Sequence, residues 1–272
     1  MATALHAVTR LDRRPEARSF SVEDLLQEIK SGRIRIPNFQ RSGLKWEDVD
    51  RVNLFDSIYR GFPIGTLLFW KRTAEAGPVH FGRFTVIAEA RSDALWVVDG
   101  QQRLTTLADV LLVGSGPDPS GRSIRFDLEG KVFGYGTPAQ KAAPRWLPLS
   151  EVPDSVRLLT WANRYRLSDL ALHGALELGK RIREYQVPAY IVEAEDEGVL
   201  RQIFERSNSS GKALTAAEIF NALHGAQSLE KPSTLRDIAD DLEGMGFGRI
   251  PEKIVLRALL AVRRKDPGRD EK

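Results

Sequence analysis

Residues 95–107 read LWVVDGQQRLTTL, and the rest of the chain is organised around them. They begin with an apolar run rich in β-branched and aromatic residues, which is typical of a buried strand. Asp99 and Gly100 end this run. Apolar residues then recur at the spacing of one buried helix face, at Leu104, Leu107, Ala108 and Leu111. The stretch therefore predicts a strand, a tight polar turn and a helix.

The polar residues of this turn have the chemistry of an anion site. The first N–H groups of a helix lack partners, and the helix dipole favours negative charge. Arg103 adds a planar cation suited to phosphate, and Gly100 lets the backbone come close to a ligand. Gln101 and Gln102 can each donate and accept hydrogen bonds with a ribose, a base or an attacking water. The alternative is a polar turn that only caps the helix and leaves Arg103 in solvent.

The composition describes a globular chain and excludes several kinds of site. Of the 272 residues, 42% are hydrophobic and 28% are charged, with a formal net charge of +3 and a pI of about 9.1. This mild basicity permits nucleic-acid binding without requiring it. The absence of cysteine excludes disulfides, catalytic thiolates and cysteine-bound zinc. No signal peptide and no membrane-spanning run is apparent, so we expect a cytoplasmic protein without a membrane partner.

The sequence before the central stretch predicts alternating helices and strands. Residues 1–19 are polar and predict a flexible lead-in. Ser21 is the predicted N-cap of a helix that Gly32 ends, and residues 33–36 alternate like a short strand. Further on, the pattern predicts a helix at residues 46–59, a strand at 65–70, a loop at 74–78 and a strand at 84–88. We expect the last of these strands to pair with residues 95–98.

The sequence after the central stretch becomes mostly helical. Residues 114–148 are rich in glycine and proline, and they predict a β-hairpin around residues 129–130. Residues 167–185 predict an amphipathic helix, and residues 187–192 predict a strand. Because of Pro188, this strand should either lie at a sheet edge or have the proline at its start. We divide the chain into a lead-in at 1–19, a domain at 20–225 and a helical extension at 226–272, which we expect to continue into a missing C-terminal region.

Three polar clusters follow or precede apolar elements of the chain. They are residues 40–41, residues 99–103 and residues 208–212. Together they supply arginine, lysine, glycine turns and amides, which suit a nucleoside triphosphate. Arg41 and Arg103 would bind phosphate oxygens, while Asp99 would either hold Mg²⁺ or only orient Arg103 through an ion pair. No Walker sequence and no dinucleotide-binding fingerprint is present.

The three clusters resemble the hallmark segments of a known family. These segments read IPNFQR at residues 36–41, VDGQQRLTTL at 98–107 and FERSNSSGKAL at 204–214. In their order and spacing they resemble the DGQQR-motif family, the N-terminal domain of GmrSD-type modification-dependent restriction enzymes. SspE-like phosphorothioate-sensing defence proteins are similar in architecture. The resemblance runs from about residue 20 to about residue 223.

The resemblance implies a mixed α/β core of the ParB/sulfiredoxin-like type with a helical C-terminal part. It implies hydrolysis of a nucleoside triphosphate, with GTP favoured and Mg²⁺ as cofactor, and the sensing of modified DNA on behalf of an HNH-type nuclease domain or partner. The catalytic set that it implies is Asp99, Gln101, Gln102 and Arg103. The phosphate-binding set that it implies is Gln40, Arg41, Gly100, Arg103, Asn208, Gly211 and Lys212.

The chain departs from the family pattern because it has no histidine–asparagine–histidine cluster of an HNH nuclease, so we expect no nuclease activity from it alone. The leading hypothesis is a nucleotide-hydrolysing sensor domain of an antiphage restriction system, able to form a homo-oligomer. The alternative is a non-enzymatic DNA-binding module that recognises a modified backbone and whose affinity falls steeply with salt. A sulfiredoxin-like enzyme is a weaker third hypothesis, because the chain has no thiol for that chemistry.

Overall fold

The computed structural model describes residues 14–36, 46–113, 123–136 and 145–193, with isolated positions between 238 and 258. In chain order these residues form β1 (Glu16–Ser21), α1 (Val22–Lys30), β2 (Ile34–Arg35), α2 (Asp48–Arg60), β3 (Leu67–Ala74), β4 (Gly77–Phe81), β5 (Phe84–Ala88), β6 (Arg91–Asp99), α3 (Gln101–Leu111), β7 (Ile124–Asp127), β8 (Val132–Tyr135), β9 (Trp146–Pro148), a 3₁₀ turn (Leu149–Glu151), α4 (Ser155–Arg164), α5 (Asp169–Glu184) and β10 (Gln186–Val192).

The chain divides into two compact units. The first comprises Arg13–Ile36 and Leu44–Glu193, and it holds all the strands and helices named above. The second comprises Met1–Asp12, Pro37–Gly43 and Ala194–Lys272. The few residues described in the second unit include helical positions at 238–239 and 254–256, and Ala239, Val255 and Leu256 form a small apolar core there.

A five-stranded sheet in the order β1-β10-β3-β6-β2 forms the centre of the first unit. Its neighbours alternate in direction: β1–β10 and β3–β6 are antiparallel, whereas β10–β3 and β2–β6 are parallel. One face of the sheet packs on helices through buried side chains, among them Phe20, Phe69, Leu95, Leu104 and Ile182. The predicted mixed α/β fold is confirmed.

Local sequence signals explain where the helices begin and end. Ser21 caps α1 as predicted, because its hydroxyl accepts from the Asp24 N–H at 2.9 Å and the Asp24 carboxylate accepts from the Ser21 N–H at 3.0 Å. Gly61 ends α2 in the left-handed region, with φ of 75°. The predicted helix at residues 167–185 is confirmed as α5, which Ser168 caps.

The region between β3 and β6 differs from the prediction. Residues 74–78 were expected as a loop, but Ala74 ends β3 and Gly77 already begins β4. Residues 84–88 were expected to pair with residues 95–98, but this strand, β5, pairs with β4 in a separate two-stranded sheet. The reason is the short turn at residues 82–83, which returns the chain directly onto β4 and leaves β6 to pair with β3 and β2.

The neighbours of β10 decide where this strand and its Pro188 lie in the sheet. Residues 16–19 were expected within a flexible lead-in, but they belong to β1, which pairs with β10. Pro188 therefore does not lie on an edge strand, because β10 lies between β1 and β3. It lies instead near the start of β10, one residue before Ala189 opens the pairing with β3, so that its missing N–H costs no ladder bond to β3.

The predicted hairpin around residues 129–130 is confirmed as β7 and β8, and β9 adds a third strand beside β7. Its inner face contributes Phe126 and Phe133, whose ring centroids lie 4.8 Å apart, and both rings pack against Tyr59 of α2. Among the residues described here, no helix is both long enough and apolar enough to cross a membrane.

Candidate functional site

The turn between β6 and α3 holds residues 99–103. Gly100 forms it with φ of 94°, and a Cβ at this position would lie 2.3 Å from Cδ2 of Leu67. Both facts require glycine. As the residue before α3, Gly100 has no side chain that could accept from the first N–H groups of the helix. The positive end of α3 therefore begins immediately after Asp99 with a cap residue that offers no side-chain acceptor.

The alternative of a turn that only caps the helix would leave Arg103 in solvent, but its side chain is mostly buried. Its guanidinium donates three hydrogen bonds to protein oxygen atoms: Nη1 to the carbonyl of Ile64 at 2.9 Å, Nη2 to the carbonyl of Thr66 at 3.0 Å and Nη2 to Oδ2 of Asp99 at 3.1 Å. Only 13% of the side chain is exposed. Burial lowers the pKa of Arg103, and the charge and hydrogen bond of Asp99 oppose that shift.

Asp99 pairs with Arg103 one helical turn away, and 35% of its side chain remains exposed. Its ion pair with Arg103, one of the two roles considered for it, is therefore present. In the described part of the chain, no group of three or more histidine, aspartate or glutamate side chains is arranged to hold a metal ion. A single exposed carboxylate still suits Mg²⁺, which takes one or two carboxylates together with phosphate oxygens and water.

The segment that Arg103 holds is the 61–66 loop, defined as residues 61–66 between α2 and β3. Gly65 approaches the arginine closely: its φ is 89°, and a Cβ there would lie 2.6 Å from Nη1 of Arg103. Tyr185 fixes the loop from the other side, since its hydroxyl donates to the carbonyl of Phe62 at 2.7 Å. Burial raises the pKa of the Tyr185 hydroxyl, and a hydrogen bond with the backbone of Ile64 opposes this. The loop is thus a fixed wall beside the turn.

The structure brings together one of the three sequence clusters, residues 99–103, and it adds the 61–66 loop to them. Gln101 and Gln102 open α3 and are half-buried. The other expected site residues, Gln40, Arg41, Asn208, Gly211 and Lys212, lie outside the described residues.

A second charged cluster lies at the other end of α3 and was not anticipated. Asp109 is buried, and its carboxylate accepts hydrogen bonds from Arg51 of α2 and, at 2.9 Å, from both the backbone N–H and Nε of Arg83. Gly82 leaves the room for it, because a Cβ there would lie 3.0 Å from Cγ of Asp109. The sequence carried a signal, since an acid within the apolar run of residues 107–111 needs a cation.

The Asp109 cluster holds α3 rather than a ligand. Burial raises the pKa of Asp109, but the hydrogen bonds from Arg83 and Arg51 outweigh it and leave the pKa below its ordinary value. Because the carboxylate is surrounded by protein donors from α2 and the β4–β5 turn, it anchors the C-terminal half of the helix whose first turn forms the candidate site.

Comparison with known proteins gives one family. No curated protein matches the chain. A family model described as "GmrSD restriction endonuclease, N-terminal domain" matches residues 22–225, which is more than half of the chain and includes the β6–α3 turn, the 61–66 loop and the other two sequence clusters. The chain therefore belongs to the family of N-terminal domains of GmrSD restriction endonucleases, and it is part of a restriction system.

Proposed function

We propose that this chain is a sensor domain that binds and hydrolyses a nucleoside triphosphate, with GTP favoured, and controls a nuclease domain of HNH type. The observation that carries the proposal is the β6–α3 turn. It combines a helix start whose cap residue is glycine, a partly exposed carboxylate and two glutamines, and the fixed 61–66 loop lies beside it.

Each part of the turn has a role in this proposal. The first N–H groups of α3 and the helix dipole bind phosphate oxygens, and Gly100 allows that close approach. Gln101 or Gln102 orients the water that attacks the terminal phosphorus; the bond from that phosphorus to the bridging oxygen breaks, giving a nucleoside diphosphate and phosphate. Asp99 would hold Mg²⁺ together with the phosphates, and the ion when bound would neutralise phosphate charge.

Arg103 contributes mainly by holding the turn. A guanidinium has five N–H groups, and three of them already donate to Ile64, Thr66 and Asp99, so at most two are left for a phosphate. The remaining phosphate contacts in the proposal come from the residues that match the other two motifs: Gln40, Arg41, Asn208, Gly211 and Lys212. Modified DNA, for example with phosphorothioate linkages, would be the signal that regulates turnover.

The test is phosphate release from GTP, CTP, UTP and ATP, with and without Mg²⁺ and phosphorothioate DNA, by the parent protein and by Asp99→Asn. The matched control is Asp56→Asn. Asp56 also pairs with an arginine four residues on, Arg60, at 2.7 Å, and 34% of its side chain is exposed, which is nearly the value for Asp99. Any general effect of breaking such a pair therefore appears in both variants.

We expect Mg²⁺-dependent turnover that Asp99→Asn reduces at least 100-fold, about 2.7 kcal/mol of activation free energy, while Asp56→Asn keeps the parental rate. No turnover of any nucleotide by the parent, with DNA binding that falls steeply with salt and ignores nucleotide, would overturn the proposal in favour of a non-enzymatic DNA-binding module.

A further inference from the structure

We propose that the 164–166 turn, defined as residues 164–166 between α4 and α5, binds the phosphate backbone of duplex DNA. The turn consists of Arg164, Tyr165 and Arg166. It shares no residue with the β6–α3 turn, and its role goes beyond the proposed function because it needs no nucleotide hydrolysis. The starting observation is an arginine whose backbone has the conformation that glycine favours.

The end of α4 has the hydrogen bonds of a Schellman motif. The Leu167 N–H donates to the carbonyl of Ala162 at 3.2 Å, and the Arg166 N–H donates to the carbonyl of Asn163 at 3.1 Å. Arg166 has the left-handed backbone of this motif, with φ of 48°. Glycine is the usual residue at this position, because a Cβ makes the left-handed conformation unfavourable. The requirements of the backbone therefore do not explain an arginine here.

The two arginine side chains of the turn point to no partner within the described part of the chain. Arg164 and Arg166 are both exposed, and among the described residues neither side chain has an ion-pair or hydrogen-bond partner. By contrast, most of the other described arginines contact an acid, a carbonyl or an aromatic ring. Residues 161–168 read WANRYRLS and hold two cations and no acid. The turn is thus a local concentration of unneutralised positive charge.

The helix dipoles explain one of these arginines but not the other. A cation at the C-terminal end of a helix is stabilised by the dipole, which accounts for Arg164 at the last position of α4. Arg166 lies two residues before Ser168, the N-cap of α5, where the positive end of that helix disfavours a cation. An anion from outside the chain would stabilise both arginines at once.

Aromatic packing fixes the backbone between the two arginines. The ring of Tyr165 packs on that of Trp161, with centroids 5.1 Å apart, and Trp161 is buried in α4. Tyr165 itself remains 38% exposed, so the turn presents a tyrosine between two guanidinium groups. Because the backbone is already ordered, less conformational freedom is lost when these side chains bind a ligand.

The residue types of the turn and the family of the chain together indicate duplex DNA. Arginine and tyrosine side chains are among those that contact DNA phosphates, and such contacts carry no sequence information. The chain belongs to a family of restriction endonuclease domains, and a restriction endonuclease acts on DNA. The Cα atoms of Arg164 and Arg166 are at most about 7 Å apart, so both guanidinium groups can reach phosphates of the same stretch of DNA.

Arg166→Gly is the main test, and Lys131→Gly is its matched control. Lys131, in the turn between β7 and β8, is the other non-glycine residue of the described part with a positive φ, 53°, and it is also exposed. Both changes remove one positive charge and place glycine where the backbone favours it. Neither should therefore lower the denaturant midpoint of unfolding, so that a change in binding is not a loss of fold.

The set is completed by Arg164→Ala and by the double variant that combines Arg164→Ala with Arg166→Gly. Each protein, as the whole chain, is titrated with a phosphodiester duplex and with a phosphorothioate duplex of the same sequence. The titrations are made without nucleotide and over a range of salt concentrations, because the salt dependence of the affinity reports the number of phosphate contacts.

We expect Arg166→Gly to weaken DNA binding about ten-fold at low salt, as for the loss of one charge-assisted hydrogen bond. The slope of log affinity against log salt concentration should fall in magnitude by about 0.9 for one lost phosphate contact and by about 1.8 in the double variant. Both duplexes should be affected equally, since a phosphate contact reads neither sequence nor modification. Lys131→Gly should keep the parental affinity and slope.

The proposal is overturned if Arg166→Gly and Lys131→Gly bind DNA equally, whether both match the parent or both are weakened, or if the parent binds neither duplex. A loss confined to the phosphorothioate duplex also overturns it, because the turn would then recognise the modification and not the backbone. Failure of the proposed function is a separate result, namely no phosphate release by the parent, and it leaves the outcome of these titrations unaffected.

Discussion

The two ends of α3 carry the same kind of charge pair in opposite settings. At its start, Asp99 pairs with Arg103, and 35% of the carboxylate side chain is exposed. Near its end, Asp109 pairs with Arg51 and Arg83, and only 6% is exposed. In the Asp99–Arg103 pair, backbone carbonyls hold the arginine, and the acid is partly exposed. In the Asp109 cluster, N–H groups of Arg51 and Arg83 hold the acid.

The difference indicates that Asp109 anchors the helix, whereas Asp99 remains accessible to a ligand. The buried acid cannot reach a ligand, so its arginines fix the position of α3 against α2 and the β4–β5 turn. The exposed acid keeps access to a ligand because its arginine is held by the carbonyls of the 61–66 loop. A preorganised site requires that the C-terminal half of α3 is rigid and that its first turn is supported but still accessible.

The largest effect should follow from Asp109→Ala. This change removes the buried acceptor of the hydrogen bonds from Arg51 and Arg83, whose side chains are 22% and 38% exposed, so we expect a loss of about 3–4 kcal/mol in the free energy of unfolding, measured by denaturant titration. The control is Asp56→Ala, which breaks an exposed pair and should cost less than about 1 kcal/mol. Equal losses in the two variants would contradict the anchoring role of Asp109.

Arg103→Ala should have the next largest effect on stability. It removes three charge-assisted hydrogen bonds, and because the freed carbonyls lie in exposed or half-buried residues we expect a loss of about 2–3 kcal/mol, together with loss of nucleotide turnover. Arg103→Lys should not restore turnover, since an ammonium lacks the planar fork. Arg60→Ala, at the exposed pair, serves as control, and wild-type turnover by Arg103→Lys would contradict the fork requirement.

The buried pair should also give the fold an acid-sensitive component. The folded pKa of Asp109 lies below its unfolded value, so its stabilisation is fully present above that unfolded value and is lost as the pH falls from about 4 through the folded pKa. The free energy of unfolding should therefore fall more steeply between about pH 4 and pH 2 in the parent than in Asp109→Asn. Parallel curves for the two proteins would show that another group dominates.

Tyr185→Phe should have the smallest effect. It deletes one hydrogen bond, to the carbonyl of Phe62, and keeps the ring, so we expect about 1 kcal/mol or less in stability. Its specific consequence is local, because the amides of the 61–66 loop should exchange faster with solvent. Unchanged exchange in the loop would show that the bond from Tyr185 does not hold it.

Local sequence patterns predicted the elements and the turn of the candidate site, but not its supports. The apolar run before Asp99, the glycine and the helical spacing after Arg103 are all contained within thirteen residues. Two of the three partners of Arg103, by contrast, are backbone carbonyls nearly forty positions away, and backbone carbonyls carry no residue-specific signal. The same holds for Asp109 and Arg51, which are 58 positions apart.

Strand pairing was the other quantity that the sequence did not determine. Residues 84–88 have strand character, but their partner is β4, which begins inside residues 74–78, the segment for which a loop was predicted. The position of β10 inside the sheet depended on β1, whose residues 16–19 are all exposed, so that no alternation of polar and apolar residues marks it as a strand. Strand pairing depends on residues that are distant in the sequence, so a short segment does not determine its partner.

The pairing of β1 with β10 has a consequence for choosing the ends of a recombinant fragment. The family match begins at Val22, but the Ser19 hydroxyl reaches Gln186 at 2.9 Å across 167 positions, and Ser21 caps α1. A fragment that starts at Val22 would lose both and would turn β10 into an open edge with unpaired N–H and C=O groups. Such an edge recruits other strands, so the shorter fragment would self-associate, whereas one that starts before Glu16 would keep β10 covered.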